Sequence, residues 1–564
     1  MEKPIISLED VSFRYANRSE ATLHNLSFTV KRGEFILLTG SSGCGKSTLL
    51  RLLNGLIPHE SGGDLQGKIT IDGLDTVDTA VADISRIVGM VFQSPEDQIF
   101  ASTIFDEVAF VLENMGLPQK EIAKRVSEAL VEVGLAGLET NSIHALSGGQ
   151  KQRLAVAAVF AAKPAVLALD EPISQVDPVN AANLLELLVR LNREENVTIM
   201  LIEHRLHEVL HLCSRVLLIK DGCLIKDVAV DIAIQQAEMF RNYGLRLPQV
   251  LDICSRLAVP FGQDVTIVSQ TIKRKYPNIT RFKSQILKHK RTSAESLAPL
   301  VSLQGVSFAY EESKKILNSI DLEINSGEII ALMGSNGAGK STLLQHIAGI
   351  LEPNSGKIYF ADGQPPEIGK CGFVMQNPDF MLFNKTVRDE ILFAPRQFSK
   401  ADSNSRFLFK LLTTRLSLEE LADEFPLSLS RGQRLRVAIA AVMAANPQLL
   451  LLDEPTTGQD ISRIDDILDM VKTYVNRGGT VIFCTHDTEV AASFAQRILL
   501  MRSGSIIADG TPFKVLSDSV NLQMAGLKEP PAMQIAQQLG WGELVSAKEV
   551  ADYAQSANFR SCSG

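Results

Sequence analysis

Apolar positions fall in short, nearly continuous runs rather than one long one. EFILLTG (Glu34–Gly40), AVLALDEP (Ala165–Pro172) and QLLLLDEP (Gln448–Pro455) have the texture of strands buried on both faces of a parallel sheet. The first run leads into a glycine-rich turn and then TLLRLLNGL (Thr48–Leu56), which predicts a helix. The chain opens with MEKPIISLED (Met1–Asp10), a strand-like run, so no signal peptide is expected. Apolar runs such as VAIAAVMAA (Val437–Ala445) fall well short of the roughly 20 residues a membrane-spanning helix needs.

The pattern occurs twice. GSSGCGKSTLL (Gly40–Leu50) matches GSNGAGKSTLL (Gly334–Leu344), 294 positions apart. VFQSP (Val91–Pro95) matches VMQNP (Val374–Pro378), and LSGGQ (Leu146–Gln150) matches LSRGQ (Leu429–Gln433), both 283 apart. GLRLPQVLDICSRL (Gly244–Leu257) and GLKEPPAMQIAQQL (Gly526–Leu539) extend the repeat through a C-terminal helical segment in each half. A period this long means two homologous lobes rather than a solenoid. The expected layout is a first lobe over 1–228, its helical extension over 229–270, a linker over 271–299, a second lobe over 300–515 and its extension over 516–564.

Composition changes the picture little. Charged residues are 21% and apolar residues 45%, as in ordinary globular chains, and the net charge of −9 argues against a general nucleic-acid binder. The seven cysteines form no CxxC pair, which fits a reducing compartment without a disulfide framework. Thr271–Arg291 holds eight Lys/Arg and no acid. It reads either as a solvated linker or as a patch for anionic lipid headgroups or RNA.

Gly40–Ser47 fits G-x-x-x-x-G-K-[ST] with a strand before it and a helix after. The backbone of Gly40, Ser41, Ser42, Gly43, Cys44 and Gly45 can wrap phosphate oxygens at the positive end of the helix. Lys46 reaches the β- and γ-phosphates, Ser47 ligates Mg²⁺, and Thr48 continues the helix start. Gly334, Ser335, Asn336, Gly337, Ala338, Gly339, Lys340, Ser341 and Thr342 repeat the arrangement. Asp170 and Asp453 end apolar strands, where a carboxylate suits magnesium; Glu171 and Glu454, one residue on, suit a general base for an attacking water. Cys44 puts a thiol inside the first loop, so alkylation is expected to inhibit, with ATP protecting.

P-loop, acid pair and LSGGQ-type pentapeptide in one half resemble the ATP-binding cassette (ABC) family, over nearly the whole chain twice. The resemblance implies tandem α/β P-loop NTPase domains (RecA-like, ABC-type), each with a helical subdomain and a C-terminal helical extension. It implies ATP and Mg²⁺ as cofactors. Tyr15 and Tyr310 match the aromatic that stacks on adenine. Gln93 and Gln376 match the glutamine that touches magnesium and the attacking water, and His204 and His486 the histidine that contacts the γ-phosphate. Asp177 and Asp460 match the loop that couples the two sites. In the family each ATP is held by one lobe and covered by the other lobe's pentapeptide. Ser147, Gly148, Gly149 and Gln150 would therefore cover the Lys340 site, and Ser430, Arg431, Gly432 and Gln433 the Lys46 site. Arg431 stands where the first copy has Gly148, which removes easy access to positive φ. One reading has both sites hydrolysing, with Arg431 tuning one; the sharper one gives most turnover to the Lys340 site.

The shared stretch T-[IV]-x-D-E-[VI]-x-F (Thr103–Phe110 and Thr386–Phe393) and the paired C-terminal segments resemble the energy-coupling factor importers of vitamins and metal ions. That resemblance implies a peripheral ATPase on the cytoplasmic face of the cell membrane. Its partners would be a transmembrane coupling subunit and a small substrate-binding membrane subunit, with no specific nucleic acid. Another transporter class, or a ribosome-associated twin-cassette ATPase, is the alternative. From Lys46 to Gln93 is 47 residues, against 36 from Lys340 to Gln376, and the surplus, including His59–Gly67, predicts an enlarged surface loop.

Overall fold

The computed structural model describes residues 3–16, 18–174, 176–277, 279, 299–310, 315–367, 369–398, 402–456 and 461–561. The chain divides into two compact units, Met1–Pro248 and Gln249–Gly564. Each contains one lobe of the repeat.

In the first lobe, Phe35–Thr39, Val166–Asp170 and Thr198–Ile202 are buried at every position. Strands without a polar face must be covered on both sides, the condition that a parallel sheet flanked by helices meets. They form the centre of a six-stranded sheet ordered Cys223–Ala229, Arg215–Lys220, Phe35–Thr39, Thr198–Ile202, Val166–Asp170, Val88–Val91. Only the Cys223–Ala229 edge strand pairs antiparallel. A second, antiparallel sheet is built on Ile6–Tyr15. The helices Ile104–Asn114, Gln119–Glu132 and Gly148–Phe160 make the helical subdomain. The second lobe repeats this design, with Ile329–Met333 carrying its glycine loop and Val387–Phe398, Asp402–Arg415 and Arg431–Ala444 its helices. Because the central strands are parallel, every turn at their carboxyl ends opens on one edge, the usual ligand edge of such sheets.

Three findings differ from the sequence reading. The residues from Gly63 to Gly67 are not loop: they belong to the strand Gly63–Ile71, which pairs along Ile6–Tyr15 as far as Tyr15 opposite Gly63. The second lobe's equivalent ladder ends at Ser307 opposite Ser355. The remaining surplus includes a short helix, Val81–Ser85. Secondly, the basic run starts inside a helix, Val265–Lys275, and Lys275 Nζ donates to the Leu257 and Ala258 carbonyls at 2.8 and 2.9 Å. Its charge closes the preceding helix end, where carbonyls lack partners. The rest of the run, apart from residues 276, 277 and 279, lies outside the described residues. Thirdly, the first extension packs with the second. Ile253, Leu257, Val268 and Ile272 share one core with Ile535, Trp541, Val550 and Ala554, and Gln249 Oε1 accepts the Ala532 N–H at 2.9 Å. Among the described residues no helix is long and apolar enough to cross a membrane.

Candidate nucleotide site

The glycine loop of the first lobe joins Phe35–Thr39 to the helix Lys46–Leu53. Gly40 lies at φ +152°, and a Cβ there would stand 2.0 Å from the Ile219 carbonyl oxygen, so the loop's close approach to the neighbouring turn requires glycine. Lys46 is buried at the helix start, and its ammonium donates to Gly40 O and Ser41 O at 2.9 Å each. An ammonium has three donors, and the remaining neighbour, Cys44 Sγ at 3.8 Å, is a weak acceptor that a phosphate oxygen readily displaces. Lys340 repeats this with Gly334 O and Ser335 O at 2.9 and 3.0 Å.

Asp170 and Asp453 are buried at the ends of their strands. Burial, then the adjacent Glu171 charge, push the Asp170 carboxyl up to about 6 against the pull of the Ser47 hydroxyl. Burial likewise raises Asp453, opposed by Ser341. The next residues, Glu171 and Glu454, take left-handed backbone at φ +47° and +52°. A non-glycine residue there carries strain of order 1–3 kcal/mol, which persists when the surroundings hold it in place. The Glu171 N–H donates to Ile202 O at 3.0 Å.

Around Glu171 the structure brings three groups together. Gln93 Nε2 donates to Glu171 Oε2 at 2.7 Å, and His204 Nε2 lies 3.1 Å from Oε1. Burial alone would raise this carboxyl, but His204, Lys46 and the Gln93 amide together hold it below the usual range. It is therefore ionised at neutral pH, as a base must be. In the second lobe His486 Nδ1 lies 3.1 Å from Glu454 Oε2. Gln376 makes no bond corresponding to that of Gln93 among the described residues. Tyr15 ends its strand with its hydroxyl 3.1 Å from Thr48 Oγ1, whereas Tyr310 lies just beyond its strand and is 62% exposed. Asp177 caps the helix Pro178–Glu194, accepting the Val179 and Asn180 N–H groups at 3.2 and 3.1 Å. Asp460 lies outside the described residues.

The pentapeptides are helix starts. Ser147 and Ser430 cap Gly148–Phe160 and Arg431–Ala444 with reciprocal bonds to Gln150 and Gln433. In each box the serine oxygen accepts, so its O–H remains to donate to an anion. Gly148 is not at positive φ, and a Cβ there meets nothing within 4 Å. The loss of backbone freedom expected from Arg431 therefore has no consequence: arginine fits the same helical turn.

Burial at Cys44 weighs against a second expectation. The residue is 4% exposed, and burial raises its thiol above the ordinary value despite Lys46. The reactive species is the thiolate, so maleimide should modify Cys44 at least about tenfold more slowly than a free cysteine thiol. Peptide mass spectrometry measures this, and equal rates would refute it.

Sequence reasoning assigned no individual role to two sets of residues. Thr103 caps Ile104–Asn114 and Glu107 Oε2, buried, accepts the Phe100 and Ala101 N–H groups at 3.0 and 2.9 Å. Glu390 holds Phe383 and Asn384 in the same way at 2.9 and 2.8 Å. The pinned turns present Phe100 and Phe383, 63% and 66% exposed, edge-on to Phe110 and Phe393. The signal was the F-x-x before each T-[IV]-x-D-E motif. The other set, Glu203 and Arg205, flanks His204 and is taken up below.

A lysine held ready for phosphate and an ionised base beside it are what hydrolysis of a nucleoside triphosphate needs, and each lobe is built as a P-loop hydrolase. The chain belongs to the ABC transporter family, whose pattern matches residues 23–174 and 317–457, and it is a two-cassette ATP-binding protein of that family with ATPase activity. It is 42% identical over 550 residues to a protein of Methanosarcina mazei, covering 95% of this chain and 94% of the relative. It is 33% identical over 552 residues to one of Caldanaerobacter subterraneus, covering 96% and 97%. Both are provisionally named ABC transporter ATP-binding proteins. Among solved structures, cbiO1 from Clostridium perfringens, described as part of the ABC transporter complex cbiONQ, is 32% identical over 45% of this chain and 100% of its own, with a TM-score of 0.39.

Proposed function

We propose that the chain is the ATP-driven motor of a membrane importer of the energy-coupling factor type, taking up a vitamin or metal ion. It would sit peripherally on the cytoplasmic face, docked on a transmembrane coupling subunit that works with a small substrate-binding membrane subunit. The matched aromatic pairs, Phe100 with Phe110 and Phe383 with Phe393, carry this reading. Each lobe spends a buried glutamate to hold an exposed phenylalanine outward, an arrangement that gains nothing for the lobe's own core. Aromatic anchors of this kind fit apolar pockets on a partner. The pairs also lie a few residues beyond Gln93 and Gln376, so docking and catalysis share one stretch of chain.

In each lobe the glycine loop and its lysine orient the triphosphate. The glutamate takes the proton of the attacking water, and the histidine against it fixes its orientation. Gln93 donates through Nε2, which leaves its amide oxygen free for water or a cation. Magnesium fits the residues present: Asp453 Oδ1 is buried with no hydrogen-bond partner, and a cation would relieve the like charges of Asp170 and Glu171. Ser47, Gln93 and Asp170 would hold it in one lobe and Ser341, Gln376 and Asp453 in the other. Bound there, magnesium neutralises charge building on the phosphates.

Affinity purification of the tagged chain from gently solubilised cells tests the transport reading. It should recover a polytopic membrane protein and a small, very hydrophobic partner; ribosomes instead would overturn it. The variant Phe100→Ala/Phe383→Ala should cut recovery of the membrane protein at least about tenfold, because buried aromatic anchors dominate such interfaces. Its melting temperature should stay within about 2 °C, since surface changes cost little stability. Undiminished recovery would place docking elsewhere.

A further inference from the structure

The residues on either side of His204 tie its turn to the segment that leads from Glu171 to Asp177. Glu203 is 1% exposed, yet both its oxygens are occupied: Oε1 accepts the Ile173 N–H at 3.0 Å and Oε2 the His204 N–H at 3.2 Å. Its carbonyl accepts from Thr39 Oγ1 at 3.2 Å, on the strand that carries the glycine loop. On the other side of the histidine, the Arg205 guanidinium donates to Ser174 O and Val176 O at 3.2 and 3.3 Å and lies 3.4 Å from Glu208. One side chain therefore supplies an acceptor to that short segment and another to His204, and the other side chain supplies donors to the segment.

The second lobe does not carry these residues. At the corresponding positions flanking His486 stand Thr485 and Asp487. Thr485 Oγ1 accepts the Asp487 N–H at 3.0 Å, and Asp487 caps Thr488–Phe494 by accepting the Glu489 and Val490 N–H groups at 2.8 and 3.0 Å. An ionised aspartate has no donor to offer a carbonyl. The first lobe, moreover, keeps its carboxyl at a cost: burial, then the charge of Glu171, push Glu203 up to about 8. Burying a carboxyl beside a second acid disfavours the fold unless the hydrogen bonds it makes offset that cost.

We propose that Glu203 and Arg205 are positioning residues that hold His204 together with Ile173, Ser174 and Val176 in the first lobe, so that a displacement of the histidine passes to the neighbouring Asp177. They act through His204 and through backbone. The inference needs only the ATPase activity of the family, and it stands or falls independently of the importer reading.

Steady-state ATP hydrolysis by the full chain, with KM and melting temperature measured alongside, tests it. Glu203→Thr, which introduces the residue of the second lobe, should lower kcat about tenfold and leave KM within about twofold, because misplacing a group acts after binding. Glu203→Gln keeps one acceptor of two and should lose about threefold. Arg205→Asp should behave like Glu203→Thr, and the double variant should lose little more than the worse single, as expected of groups serving one clamp. A KM that rises in step with the loss of kcat, a glutamine variant as poor as the threonine one, or strictly multiplicative losses would overturn the proposal. If Glu203→Thr does not fold, Glu203→Gln and Arg205→Lys decide: kcat within twofold of wild type for both refutes it, and a loss confined to kcat supports it.

Discussion

Glu171→Gln combined with Glu454→Gln should reduce ATP turnover at least about a hundredfold, the usual scale of a lost general base, while nucleotide binding persists. The amide is isosteric and keeps the contact to His204 or His486, but it cannot take a proton from water. Binding persists because the phosphates rest on Lys46, Lys340 and the glycine loops, which the change leaves alone. The two single variants should lose activity to a similar extent, within about threefold of each other, on the same general-base scale. Glutamate and histidine meet at 3.1 Å in both lobes, and both glutamates share the left-handed turn. Arg431 does not upset this expectation, because Gly148 uses none of the freedom that arginine lacks. Loss from Glu454→Gln alone, with Glu171→Gln sparing turnover, would instead assign the work to the Lys340 site. Phosphate release kinetics and equilibrium binding of a fluorescent ATP analogue separate the outcomes.

What was legible in the sequence is what local chemistry dictates. A glycine loop between an apolar run and a helix, or two acids closing a run of leucines, needs no distant partner to be recognised, and the duplication made chance untenable. The pentapeptide's place as a cover over nucleotide follows from the family resemblance, whereas its capping box shows only in the folded turn. The rest depends on pairing between remote segments. Gly63–Gly67 reads as loop because of its glycines, and it becomes strand by pairing along the edge of Ser12–Tyr15. Sequence order places the first extension with its own lobe, whereas its apolar face is completed by Ile535 and Trp541, far along the chain. Nothing local marks Phe100 as exposed; the buried Glu107 holding its N–H explains why it is outside. Cys44 looked reactive by position, and its burial decides otherwise.

Gly40→Ala should abolish nucleotide binding in the first lobe. The added Cβ would stand 2.0 Å from Ile219 O and 2.9 Å from Cys44 Sγ, at a φ of +152° that an alanine rarely adopts. Backbone and a buried sulfur cannot both yield, so strain and overlap together should cost roughly 2–5 kcal/mol. In a domain of this size that lowers the melting temperature by roughly 5–15 °C. Function should suffer more than stability, because the Gly40 carbonyl is one of the two that hold the Lys46 ammonium. A loop that shifts to relieve the clash takes the lysine with it. Gly43→Ala is the control: its φ is +79°, but nothing lies within 4 Å of the new methyl group, so only the backbone term of about 1 kcal/mol applies. Calorimetric titration should find about one bound nucleotide per chain for Gly40→Ala against about two for Gly43→Ala, since only the former closes the loop against phosphate. Equal stoichiometry would mean that the turn carrying Ile219 yields easily, and that the tight approach of the loop to it is not what holds the phosphate cradle open.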